Sequence, residues 1–212
     1  NTPNFDELYN GNTAANFKAA GAQLPGINES DYSNCTLANE LKAQFLTGLT
    51  TLETAGASPM DIKEMHKQFL TYLIMHEMGH TLGLNHNMRA SQMLSPAEIN
   101  NKEITRKIGQ IGSVMDYPAP RATLGADGVP DLSDAYAKGI GEWDKVAIAY
   151  GYQDFAPGID ETAALDRTLS DAFRRGLMYL TDQDARARSS SSSVAHLWDN
   201  GTNAIDELSN VM

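Results

Sequence analysis

The chain has 212 residues, with 16 Lys+Arg against 27 Asp+Glu and a net charge of −11. At about 150 residues per domain this is one domain or slightly more, and 42% apolar residues exclude wholesale disorder. The acidic balance argues against nucleic acid and anionic membrane as main partners, and the lone Cys35 excludes an intrachain disulfide or a cysteine-built zinc ribbon.

In chain order, residues 1–35 read as an irregular segment with one short helix over Asp6–Ala20. Residues 36–55 read as a helix, because Leu37, Leu41, Phe45, Leu49 and Leu52 recur at spacings of three and four. Asn34 or Thr36 can cap its start, and Gly56 can end it. Ser58 and Pro59 open the next helix as N-cap and first helical residue, and it is expected to run to about Leu82. Its apolar stripe includes Ile62, Met65, Phe69, Tyr72, Leu73 and Met75. A short helix is expected over Ser95–Lys107. Residues 108–135 hold Gly109, Gly112, Pro118, Pro120, Gly125, Gly128 and Pro130 and read as loop. Ser133 and Asp134 can start another helix. Gly141–Tyr150 reads as a buried helix with little polar face, and residues 159–180 as one or two more. Ser189–Ser193 is a flexible serine run, and Asn203–Val211 begins a final helix. No apolar run approaches the roughly 18 residues that span a membrane. No stretch in residues 1–75 alternates apolar and polar residues for the length of a strand. The fold class expected is therefore mainly α, with little or no β-sheet.

Residues 76–86 read HEMGHTLGLNH. His76 and His80 lie four apart on the predicted helix, about 400° of turn, so both imidazoles leave the same face. They can reach one zinc ion at about 2.0–2.1 Å. Glu77 is rotated by about 100° from His76; it can flank the metal without ligating it, which suits a general base for water. In an unbroken helix His86 would lie about 15 Å beyond His76. If His86 is a ligand, the helix must break before it, and Gly83 stands where the break is needed. Three neutral imidazoles leave a fourth position open, the mark of a catalytic rather than a structural zinc site. A chance match to the five fixed positions is on the order of one in 10⁵ chains of this size.

This segment resembles the zinc signature of the metzincin metalloproteases, whose second hallmark is a Met-turn. SVMDYP at Ser113–Pro118 is similar to that turn. The resemblance implies that Met115 underlies the zinc site, and that Tyr117 ligates the metal or stabilises the tetrahedral intermediate. More widely, HTLGLNHN, SVMDYPAP, the stretch Gly141–Tyr152 and YLTDQDA at Tyr179–Ala185 resemble large bacterial zinc-dependent metalloproteases. That wider likeness covers roughly residues 36–212 and supplies no substrate.

The function expected is zinc-dependent hydrolysis of peptide bonds, with His76, His80 and His86 holding one Zn²⁺ and Glu77 as general base. The alternative is a zinc-binding but inactive fragment or binding module of a larger protease. Asp116 is a candidate for a hydrogen bond to a ligand histidine. Asp127, Asp131 and Asp134 could bind Ca²⁺, although turns and a helix cap explain them as well. His66, ten residues before His76, and His196 read as structural. Cys35 reads as buried. The domain expected is one catalytic-domain fragment: an irregular segment (1–35), the helices including the zinc helix (36–88), loop and Met-turn (89–135) and a C-terminal helical part (136–212). Metzincin domains place a sheet before the zinc helix to pair with an extended substrate. Such a sheet is expected upstream, in a longer chain, and residues 1–212 alone are expected to cleave peptides poorly and to expose an apolar surface. Acidity and scarce cysteine fit an extracytoplasmic bacterial protein.

Overall fold

The computed structural model describes residues 37–121, 123–124, 130–131, 134–186, 192, 194–203 and 205–206. Cys35, the expected helix over Asp6–Ala20, Asp127 and most of the serine run lie outside the described residues. The chain divides into two units, Asn1–Ala43 and Gln44–Met212. Only the start of one helix is described in the first, so the architecture below is that of the second.

Helix α1 (Leu37–Thr54) and helix α2 (Pro59–Thr81) form as the apolar spacings predict. Ser58 caps α2 through a reciprocal pair: its hydroxyl accepts from the Asp61 amide, and the Asp61 carboxylate accepts from the Ser58 amide at 2.9 Å. One face of α2 buries Met65, Gln68, Phe69, Tyr72, His76 and Gly79. Phe69 packs against Phe45 of α1 at 4.6 Å between ring centroids, and Tyr72 stacks on Tyr136 at 5.8 Å. Gln68 is buried with its carbonyl spent on the amides of Ala135 and Tyr136, at 2.9 and 3.3 Å. This ties the segment at 134–137 to the middle of α2. The other side of α2 leaves Leu70, Ile74 and Met78 exposed at four-residue spacing.

After α2 a single 3₁₀ turn (Ala90–Met93) leads to two short helices, α3 (Pro96–Ile99) and α4 (Lys102–Ile108). The sequence had suggested one helix here. Asn101 leaves helical geometry and uses its side chain to cap α4, accepting from the Glu103 amide, and that divides the run. The described residues of 109–141 are irregular apart from an antiparallel ladder of β1 (Thr123–Leu124) and β2 (Pro130–Asp131). Among the described residues this is the only β structure, so the chain is mainly helical, as expected. No helix starts at Asp134; its carboxylate instead pairs with Arg106 and Lys138. That pairing leaves the Asp134 carboxylate spent on two cations.

Helix α5 (Glu142–Tyr152) packs on helix α6 (Glu161–Arg174) through Val146, Ala172, Leu169 and Trp143, with Leu177 beyond. α5 is less buried than its composition suggests: Asp144 and Val146 are its buried residues, while Tyr150 and Tyr152 are exposed. The apolar residues of 159–180 divide as well. α6 stops at Arg174, Gly176 turns the backbone at φ +79, and Leu177–Leu180 runs on without regular structure. A short helix α7 (Asp182–Arg186) follows. Beyond it, residues 205 and 206 form a helical turn and the rest of the expected last helix lies outside the described residues. Among the described residues no helix is long and apolar enough to cross a membrane.

Candidate metal centre

α2 ends where the sequence requires it to. Thr81 is its last residue, and Gly83 takes the left-handed conformation at φ +81. The Leu84 amide donates back to the Gly79 carbonyl and the Gly83 amide to the His80 carbonyl, both at 3.0 Å. This double closure satisfies carbonyls at the helix end and reverses the chain, so His86 comes back beside His80 instead of continuing along the axis.

The three histidines meet. One ring nitrogen from each of His76, His80 and His86 lies within 4.8 Å of the others. The Nε2 atoms of His80 and His86 are 3.1 Å apart. The outer nitrogens are all committed elsewhere: Nδ1 of His76 to the Val114 carbonyl at 2.7 Å, Nδ1 of His80 to the Leu84 carbonyl at 3.0 Å, and Nδ1 of His86 to the Asp182 carboxylate at 2.8 and 3.0 Å. Carbonyl and carboxylate oxygens only accept, so each Nδ1 carries the proton and each Nε2 keeps its lone pair. The Nε2 of His76 is buried and without any hydrogen-bond partner. Burial lowers the pKa of His76 to about 4, so its ring is neutral. Three imidazoles converging on one point, one of them with an otherwise orphaned nitrogen, fit a metal ion.

Beside this point lies the segment Ser113–Pro118. Ser113–Asp116 makes a tight turn, its Asp116 amide reaching back to the Ser113 carbonyl. Met115 is buried, and its sulfur lies against Gly79 of α2. A Cβ at Gly79 would stand 2.2 Å from that sulfur, so only glycine fits between the two histidines of the helix. Tyr117 follows, with its hydroxyl 3.0 Å from His86 Nε2 and its ring 4.7 Å from that of His76. Glu77 is exposed on α2, next to His76. Asp116 is fully buried, but it does not touch a ligand histidine. Its carboxylate turns back to accept from the amides of Ser91 and Tyr117, at 2.6 and 2.7 Å. Burial, reinforced by nearby Asp199, pushes the Asp116 carboxyl up to about 8. Its backbone carbonyl accepts from the Tyr72 hydroxyl.

Several supporting residues escaped the sequence reading. Asp144 of α5 grips the Met-turn: it accepts from the Ser113 hydroxyl at 2.5 Å and from the Val114 amide at 2.8 Å. It thereby holds the residue whose carbonyl orients His76. Asn87 links the segment after His86 to the turn, its amide donating to the Met115 carbonyl at 3.0 Å. Trp198 packs on Tyr117 and donates its amide to the Tyr117 carbonyl at 2.8 Å, from a left-handed backbone at φ 64 that a tryptophan rarely adopts. Gly79 did have a signal, since a glycine inside a helix costs about 1 kcal/mol relative to alanine and implies a packing reason. Asp182 had none, because its contact is 96 residues away in sequence. His66 is structural: its ring bonds the Ile62 carbonyl and packs edge-on against Phe45. His196 is exposed.

No curated protein and no solved structure matches the chain. The comparison with protein families matches residues 58–212 to the Met-zincins. The match begins at the N-cap of the helix that carries His76 and His80, and it contains Gly83, His86, Met115, Tyr117 and Asp182. On that span and on this arrangement of three histidines, the chain belongs to the Met-zincin family.

Proposed function

We infer that the chain is a zinc-dependent metallopeptidase. The observation that carries this reading is the convergence of three Nε2 lone pairs whose outer nitrogens are each held by a fixed acceptor. Family membership supports it. His76, His80 and His86 hold the ion. Zinc, when bound, polarises a scissile carbonyl and acidifies water. Glu77 stands exposed beside His76, where its carboxylate takes the proton of the attacking water and returns it to the leaving amine. The Tyr117 hydroxyl, at the same convergence point, donates a hydrogen bond to the oxygen that gains charge. Met115 gives the histidines an apolar floor, so the site is shielded from water on one side.

The test is digestion of a peptide library with and without chelator, using wild type, Glu77→Gln and Tyr117→Phe. Glu77→Gln is expected to keep its metal and to lose up to about 10⁴-fold in rate. Tyr117→Phe should keep its metal and lose about 10²-fold, the contribution of one oxyanion donor. An unchanged kcat in Tyr117→Phe would reduce Tyr117 to a packing residue. Chelator-insensitive cleavage would end the metallopeptidase reading.

A further inference from the structure

The three histidines are not held alike. His76 and His80 sit on one helix, and peptide carbonyls take their outer nitrogens. His86 lies past the end of that helix, where no regular element fixes its ring. A carboxylate faces it, with both oxygens of Asp182 within 3.0 Å of Nδ1.

That carboxylate is delivered by a built arrangement. Immediately after His86, Asn87 and Met88 are stitched to the segment Met178–Leu180. The Met88 amide donates to the Leu180 carbonyl at 2.8 Å, the Asn87 side chain to the Met178 carbonyl at 2.9 Å, and the Leu180 amide to the Asn87 side chain at 3.3 Å. Thr181 then caps α7 against Asp184, whose carboxylate accepts the Thr181 amide at 2.8 Å and its hydroxyl at 3.1 Å. With Asp184 taken up by the cap, it is Asp182, at the first helical position, whose carboxylate faces His86.

We propose that Asp182 is a positioning residue of the metal centre, whose carboxylate holds His86 in the tautomer and orientation that binding a metal ion needs. The proposal rests on reading the three histidines as metal ligands. A carboxylate accepts and cannot donate, so it keeps the proton on Nδ1 and the lone pair on Nε2. It also makes His86 a stronger donor than a carbonyl partner would, because negative charge on the outer nitrogen raises the basicity of the inner one. Tyr117 meets that same Nε2, so the ring is gripped from both sides. The segment Tyr179–Ala185 thereby has a chemical role that nothing in its local sequence declares.

The experiment measures zinc affinity of the whole 212-residue chain by competition with a chromophoric chelator, for wild type, Asp182→Ala, Asp182→Asn and Asp182→Glu. Asp182→Ala is expected to weaken zinc about 10–100-fold. Asp182→Asn should fall between, since its amide oxygen still accepts but carries no charge, and Asp182→Glu should recover part of the loss. Asp154→Ala removes an exposed acid elsewhere and should leave affinity unchanged. Nitrogen–proton correlation spectra of the histidine rings are recorded on the same proteins without metal. His86 should carry its proton on Nδ1 in wild type and lose that preference in Asp182→Ala. Asp182 is about half exposed, so these variants should keep the wild-type melting transition, which is checked alongside. Equal zinc affinity and an unchanged His86 tautomer in Asp182→Ala would overturn the proposal while leaving the metal centre standing. A wild type that binds no zinc would instead overturn the metal reading, and the tautomer spectra would still decide whether Asp182 orients His86.

Discussion

Two glycines and one aspartate carry more of this site than their size suggests. Gly83 ends α2 in a left-handed conformation with nothing within 4 Å of where a Cβ would stand. Gly83→Ala should therefore cost only the conformational penalty, about 1–2 kcal/mol. Gly79 is the opposite case, because its conformation is ordinary and its space is already filled by the Met115 sulfur. Gly79→Ala should raise helix propensity and yet destabilise the protein by about 1–3 kcal/mol through overpacking. Urea unfolding of both variants separates the two mechanisms: pairing Gly79→Ala with Met115→Ala should relieve its defect, and no cavity-forming partner should relieve Gly83→Ala. Asp144 holds the Ser113 hydroxyl and the Val114 amide in a buried place. Asp144→Ala should leave those donors unpaired at about 1–3 kcal/mol and loosen the carbonyl that orients His76. A variant as stable as wild type would show the grip to be idle.

The helices that the sequence made legible are those where local chemistry agrees with packing. The Ser58–Pro59 start of α2, its apolar face and its glycine stop all follow from residue types within one or two turns. What failed was decided by polar side chains that took other partners. One expected helix became α3 and α4 because the Asn101 side chain competes with the backbone. The expected start at Asp134 did not form, and its carboxylate joins Lys138 four residues on and Arg106 28 residues back. This pairing has a pH signature. Burial alone would raise the Asp134 carboxyl, but Lys138 and Arg106 outweigh it and hold the group below its ordinary value. A depressed carboxylate contributes its stability above the unfolded-state pKa of about 3.9, and loses it as pH falls through and below that value. The stability difference between wild type and Asp134→Asn should be constant near neutrality and shrink below about pH 4. A difference that grew on acidification would have the wrong sign for this ion pair.

Across the whole molecule the three histidines were readable and the contacts of Asp144 and Asp182 were not. Three histidines and a glycine within eleven residues of sequence make a pattern. Asp144 and Asp182 reach the same centre from α5 and from the start of α7, by contacts that only the folded chain creates. The centre joins α2, the Met-turn and the C-terminal segment, so filling it should stabilise them together. At free zinc about 100 times the dissociation constant, the folded state should gain about 2.7 kcal/mol. The melting temperature should rise with zinc and fall with chelator, whereas the same titration on His76→Ala should be nearly flat. The most direct test of the account is the zinc content of His80→Ala beside wild type, each purified in the presence of zinc and freed of excess by gel filtration. The account predicts one zinc per chain in wild type and little or none in His80→Ala, with both proteins folded. An unchanged zinc content in His80→Ala would contradict it.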